Sequence, residues 1–91
     1  MSQAIADPDD IERFAQHLQY FNDQLRQNIS QLDGAFGNLG DTWQDQQYQQ
    51  FAEEYTQTKQ MVEHFLETAD QFIPFLGHQV AVLREYLNRT R

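Results

Sequence analysis

Apolar side chains recur along most of this chain at alternating three- and four-residue steps. The first series is Ile11, Phe14, Leu18, Phe21, Leu25, Asn28, Leu32, Ala35 and Leu39, with Asn28 its one polar member. That spacing keeps one face of an α-helix apolar through successive heptads, as in a coiled-coil seam. Asn28 stands where Leu would pack better. Two readings of it stay open, a polar residue at a wet edge or a residue that fixes register. A second series runs Tyr48, Phe51, Tyr55, Thr58, Val62, Phe65, Ala69, Phe72, Leu76, Gln79, Leu83, Tyr86. Beside it lie Ala52, Leu66, Ile73, Val80 and Leu87, interrupted by Lys59. An apolar face this wide is the pattern of a helix in a bundle.

The ends of the two series carry helix signals. Asp7 suits an N-cap, Pro8 the first helical position, and the acids at 9, 10 and 12 favour the positive end of the helix dipole. Gly34, Gly37 and Gly40 are expected to weaken the first helix and to stop it. Thr42, with Asp45 three residues on, reads as a capping box for the second helix, and Asp41 with Gln44 as the alternative one residue earlier. The pattern therefore predicts helix 1 over about 8–38, a turn over about 39–42, and helix 2 over about 43–88. Pro74 and Gly77 fall inside the second series without ending it, so a kink near 74 is expected, with a separate third helix from about 75 as the other possibility.

A short linker forces two such helices antiparallel. The fold class is all-α, an antiparallel helical hairpin forming one domain over 1–91. The hairpin brings the acidic start of helix 1 near Arg84, Arg89 and Arg91, so the charge asymmetry supports the same arrangement. Two helices cannot cover the whole apolar face of helix 2, and Phe36, Phe75 and Val82 fall off the main seams. A second hairpin completing a four-helix bundle as a dimer, or a larger client, is expected to cover Phe72, Leu76, Val80, Leu83 and Tyr86.

Composition narrows the partners. A 91-residue chain with 40% hydrophobic residues can bury a stripe but not a thick core. Its net charge of −8, with only 6 Lys and Arg, argues against nucleic acid and anionic membrane. No apolar run is long enough for membrane insertion, and the start "MSQAIADPDD" lacks the basic and apolar regions of a secretory signal. A cytoplasmic, soluble protein is expected, exported only if a specialised machine recognises it without a signal peptide.

Candidate chemistry is sparse. The chain has no cysteine, which excludes disulfides, thiolate metal sites and thiol nucleophiles. Glu53-Glu54 and Asp9-Asp10 are neighbours in sequence, so on a helix they point about 100° apart and read as solvated faces. His17 and His64 could lie at similar heights in the hairpin, but neither sits on a seam, and no Glu-x-x-His pair of the di-iron type is present. With only Ser2 and Ser30 as serines, and no nucleophile elbow or phosphate-cradling loop, neither catalysis nor a cofactor is expected.

What remains is "GDTWQDQQYQQF" at residues 40–51, where the only tryptophan sits beside the turn. A helical hairpin with Trp43 at the turn and an aromatic, Phe51, eight positions later resembles the WXG family, the early-secreted-antigen-like proteins of type VII secretion systems. The resemblance covers nearly the whole chain, with Asp45 in the place of the family glycine. It implies a secreted factor or targeting partner acting by protein–protein contact, as a homodimer, as a heterodimer with a related hairpin, or on a larger toxin-like client. It also implies that Trp43, Asp45 and Phe51 contribute to a partner surface. The family's tail signal, Tyr-x-x-x-Asp/Glu, has its nearest match at Tyr86-Leu-Asn-Arg-Thr90, which ends without an acid. A hairpin adaptor or chaperone that stays inside the cell is the alternative reading.

Overall fold

The computed structural model describes residues 6–89. They form two helices, α1 (Pro8–Thr42) and α2 (Gln46–Arg89), packed along their lengths into a rod of 69 × 21 × 17 Å. α1 starts as its sequence dictates. The Asp7 side chain accepts from the Asp9 N–H at 2.9 Å, and Pro8 takes the first helical position.

The turn departs from expectation. α1 does not stop near residue 38 but continues through Gly34, Gly37 and Gly40 to Thr42, and none of these glycines has a positive φ. A glycine costs a helix about 1 kcal/mol, which does not end it while its neighbours still pack. Gly40 has a steric reason to be glycine. A Cβ there would lie 2.6 Å from the Tyr48 hydroxyl of α2.

The connector is therefore Trp43-Gln44-Asp45, later in the chain than 39–42. Thr42 does not cap α2. It belongs to the last turn of α1, where its hydroxyl donates to the Leu39 carbonyl at 3.4 Å. Trp43 is the C-cap of α1 rather than part of the first turn of α2, and its N–H donates to the Leu39 carbonyl at 3.0 Å. Asp45 caps α2 instead, its Oδ1 accepting the Tyr48 N–H at 3.0 Å. α2 then runs unbroken through Pro74 to Arg89, so no third helix begins at 75.

The lines of residues that close the hairpin also differ from the apolar series of α1. The face turned toward α2 carries Ile11, Ala15, Leu18, Asn22, Leu25, Ile29 and Phe36. On α2 the matching face carries Tyr55, Lys59, Val62, Leu66, Ala69, Ile73, Leu76, Val80 and Leu83, with Leu66, Ala69 and Val80 the most buried. Phe14, Phe21, Leu32 and Leu39, all in the expected seam, are exposed. Asn28 is exposed too, and Asn22 is the fully buried asparagine. Its Nδ2 donates to Asp70 Oδ1 at 3.1 Å, while its Oδ1 has no partner.

Candidate functional site

Each helix borders the seam with two different flanks, set by its heptad phase. On one side α1 places Glu12, Arg26 and Asp33, and α2 places Asp70 and Arg84. In antiparallel helices like flanks meet, and here they meet as ion pairs. Arg84 bonds Asp9 at 2.9 Å and Glu12 at 3.0 Å, Arg26 pairs with Asp70, and Asp33 pairs with Lys59. Asp33 also accepts the Tyr55 hydroxyl at 2.6 Å. The Lys59 and Tyr55 hydrogen bonds hold the Asp33 carboxyl below the usual carboxylate range, and the same bond, with burial, pushes the Tyr55 phenol up to about 12. The Arg26 hydrogen bond likewise lowers Asp70. Of the basic residues expected near the acidic start of α1, Arg84 does pair there. Arg89 bonds Glu85 of its own helix at 2.6 Å, and Arg91 lies outside the described residues.

The opposite flank is aromatic and open. α1 contributes Phe14, Phe21, Asn28 and Ala35, each one heptad from the next, and α2 contributes Phe51, Thr58, Phe65 and Phe72 at the same interval. Phe21 meets Phe65 edge-on at 6.2 Å, yet the two rings remain 50% and 47% exposed. Beside them a groove of about 330 Å³ is lined by Phe14, Leu18, Phe65, Thr68, Ala69, Phe72 and Leu76. Toward the turn a second groove, about 260 Å³, is lined by Leu32, Ala35, Phe36, Leu39, Phe51 and Tyr55. On the outer side of α2 the apolar surface continues through Met61, Phe75 and Val82, all exposed. Neighbouring apolar groups on this scale exceed the scattered single residues of an ordinary surface.

At the turn end the flank closes on an aromatic cluster. Trp43 lies edge-on to Tyr48 at 5.5 Å and stacks on Phe51 at 6.3 Å, while Phe36 stacks on Tyr48 at 5.7 Å and Tyr55 at 4.3 Å. Phe36, which fell off the expected seams, is thus the ring that ties α1 into this cluster. Trp43 is half-buried, with its ring at the end of the rod. Asp45 is lowered by the Tyr48 backbone hydrogen bond, with the Trp43 side chain contributing next. Its cap explains how a carboxylate can stand where Gly is usual.

Of the residues expected to meet a partner, Phe51, Phe72 and Tyr86 are exposed on the open flank, Trp43 adjoins it, and exposed Asp45 supports Trp43. Leu76 and Leu83 are half-buried in the seam. Val80 is 5% exposed, held between the helices, where it stabilises the hairpin. Sequence reasoning missed Met61 as an exposed apolar group and Asn22 as the buried polar one. Thr90, the last residue of the tail match, lies outside the described residues.

Among the described residues no group of three or more His, Asp or Glu side chains could hold a metal ion, and His17 and His64 are both exposed. No helix among them is long and apolar enough to cross a membrane.

A long antiparallel helical hairpin, charged along one flank and aromatic along the other, with tryptophan at its bend, defines a class of small helical-hairpin proteins. Residues 3–85 match the family described as WXG100, proteins of 100 residues with WXG, and the chain belongs to that family. Membership associates it with small helical proteins of type VII secretion that generally form hairpin dimers. No curated protein and no solved structure matches the chain.

Proposed function

We propose that this protein is a non-enzymatic binding subunit of a type VII-like secretion system, working through its aromatic flank. One observation carries the reading. Phe14, Phe21, Phe65 and Phe72 stand about half exposed along one side of a rod whose other side carries partly exposed ion pairs. A surface of this kind fits the apolar side of another helical hairpin, and the bundle so formed would bury the rings that one hairpin leaves in water.

The turn supplies the second element. Trp43 adjoins the flank and is held by Tyr48, Phe51 and the Asp45 cap, so a bound neighbour and the indole can be read together as one surface. Thr90 stands where the family's tail signal has an acid, so export depends on a bound client that supplies that tail. The protein is made in the cytoplasm and leaves as part of a complex.

The test is secretion from a host carrying the export system, with and without neighbouring genes for a sister hairpin or a toxin-like client. Export should require a partner, and Trp43→Ala should reduce it more than it reduces folding of the complex. Efficient export with every candidate partner deleted would overturn the partner-supplied signal. Absence of export under every condition would favour a hairpin adaptor that stays in the cell.

A further inference from the structure

Trp43 ends α1 in extended backbone, where no helix fixes its side chain. Three neighbours fix it instead. Tyr48 meets its ring edge-on, Phe51 stacks on it, and its side chain hydrogen-bonds Asp45. An indole has a single donor and no acceptor, so that bond uses the N–H and leaves none to offer. Resting on the reading that Trp43 forms part of a shared surface, we propose that Asp45 is a positioning residue for the indole. It keeps the N–H occupied within the chain, so that a bound neighbour meets ring carbon and matches it with an apolar side chain.

Three observations lead there. First, one carboxylate serves two donors. Asp45 Oδ1 accepts the Tyr48 N–H at 3.0 Å, which starts α2, and the carboxylate also receives the indole N–H. A carboxylate has acceptor sites to spare on its two oxygens, so both bonds fit, and bonds to a charged acceptor are the strong ones. Together they hold the Asp45 carboxyl below its usual range and keep it ionised near neutral pH. Second, the ring beside the indole cannot move away. Tyr48 lies between Trp43 and Phe36, and its hydroxyl fills the space that a Cβ on Gly40 would take. The indole is thus fixed relative to both helices and not to the connector alone. Third, the carbon surface left over continues the open flank. Trp43 is half-buried, Phe51 beneath it is 42% exposed, and the groove lined by Leu39, Phe51 and Tyr55 begins there. A hydrogen-bond acceptor pressed onto this surface would lose water and find no donor.

Trp43 is the only tryptophan, so the chain gives a single indole N–H signal by NMR. Solvent exchange of that proton would be compared in the natural chain, Asp45→Ser and Asp45→Gly, free and bound to a related hairpin. Ser caps a helix about as well as Asp but has no second oxygen for the indole, so Asp45→Ser separates the brace from the cap. Exchange should be roughly 10-fold faster or more in both variants, the loss expected for a hydrogen bond to a charged acceptor. Helicity of Asp45→Ser by circular dichroism should match the natural chain. Equal exchange in the natural chain and Asp45→Ser would overturn the proposal. A difference seen in the free chain but absent in the complex would mean that the partner takes the N–H, which overturns it too. In a host carrying the export system and a partner, Asp45→Ser should reduce export of the pair several-fold. Natural export in Asp45→Ser beside a loss in Trp43→Ala would overturn the positioning role while leaving the proposed function standing.

Discussion

Phe65 and Leu66 are neighbours in sequence with opposite assignments, and replacing each by Ala separates hairpin from assembly. Leu66 is 4% exposed and faces α1, so Leu66→Ala should cost about 2–5 kcal/mol, the range for emptying a core site. Phe65 is 47% exposed. Full burial of such a side chain is worth about 1.5–3 kcal/mol, so the half already in contact with Phe21 and its neighbours contributes about 1 kcal/mol. The other half contributes a comparable amount only when a partner covers it. Phe65→Ala should therefore cost about 1 kcal/mol in dilute protein, and about 2 kcal/mol per chain where the assembly is populated. Leu66→Ala should cost its full amount at both concentrations. Urea melts followed by circular dichroism at two concentrations a hundredfold apart provide the assay. A Phe65→Ala loss that does not grow with concentration, or that equals the Leu66→Ala loss in dilute protein, would refute the division of the two faces.

At the turn, Asp45→Ala should lose on the order of 1 kcal/mol as the cap of α2, whereas Thr42→Ala should stay within about 0.5 kcal/mol, both measured by denaturant melts. Gly34→Ala and Gly37→Ala, where nothing lies within 4 Å of a new Cβ, should each raise stability by about 0.5–1 kcal/mol. Gly40→Ala should lower stability instead, because Tyr48 is pinned between Phe36 and Trp43 and cannot yield freely. On the acid side, Asp33, Asp45 and Asp70 have lowered folded pKa values. The stability they supply is present above their unfolded range and lost as pH falls through the folded values. Melting temperature should thus drop below about pH 4, less steeply in Asp33→Asn. Tyr55, raised to about 12, gives the opposite sign: its contribution is present below about pH 10 and lost as pH rises toward 12, and Tyr55→Phe should lack that alkaline loss.

The two long helices and their direction were legible because amphipathic stripes of this length, with a Pro-primed start and one short connector, leave few other arrangements. The choice of seam was not. On α1 three adjacent lines compete, and the one that closes the hairpin contains Ala15 and the buried Asn22. Periodicity favoured the line through Phe14 and Phe21 because its residues are larger, yet those rings face outward. On α2 the same ambiguity is visible in Lys59, whose long stem lies in the seam while its charge reaches Asp33. At the turn, Thr42 and Asp45 both look like caps. The structure gives the role to Asp45, and the close approach of Tyr48 to Gly40 is a contact that the local pattern does not reveal. The ionic flank was half legible, since Arg84 was expected near the acids of α1, but Arg26–Asp70 and Asp33–Lys59 depend on helix phase.

The claim on which everything else rests is that the aromatic flank is an assembly surface. Sedimentation equilibrium from low to high micromolar concentration tests it, comparing the natural chain with a Phe21→Ser, Phe72→Ser double variant. Both side chains lie on the open flank, about half exposed. The natural chain should approach twice its 10.8 kDa mass, and the variant should remain helical by circular dichroism but stay at the single-chain mass. A natural chain that stays monomeric both alone and mixed with a related hairpin, or a variant that assembles as well as the natural chain, would contradict the account.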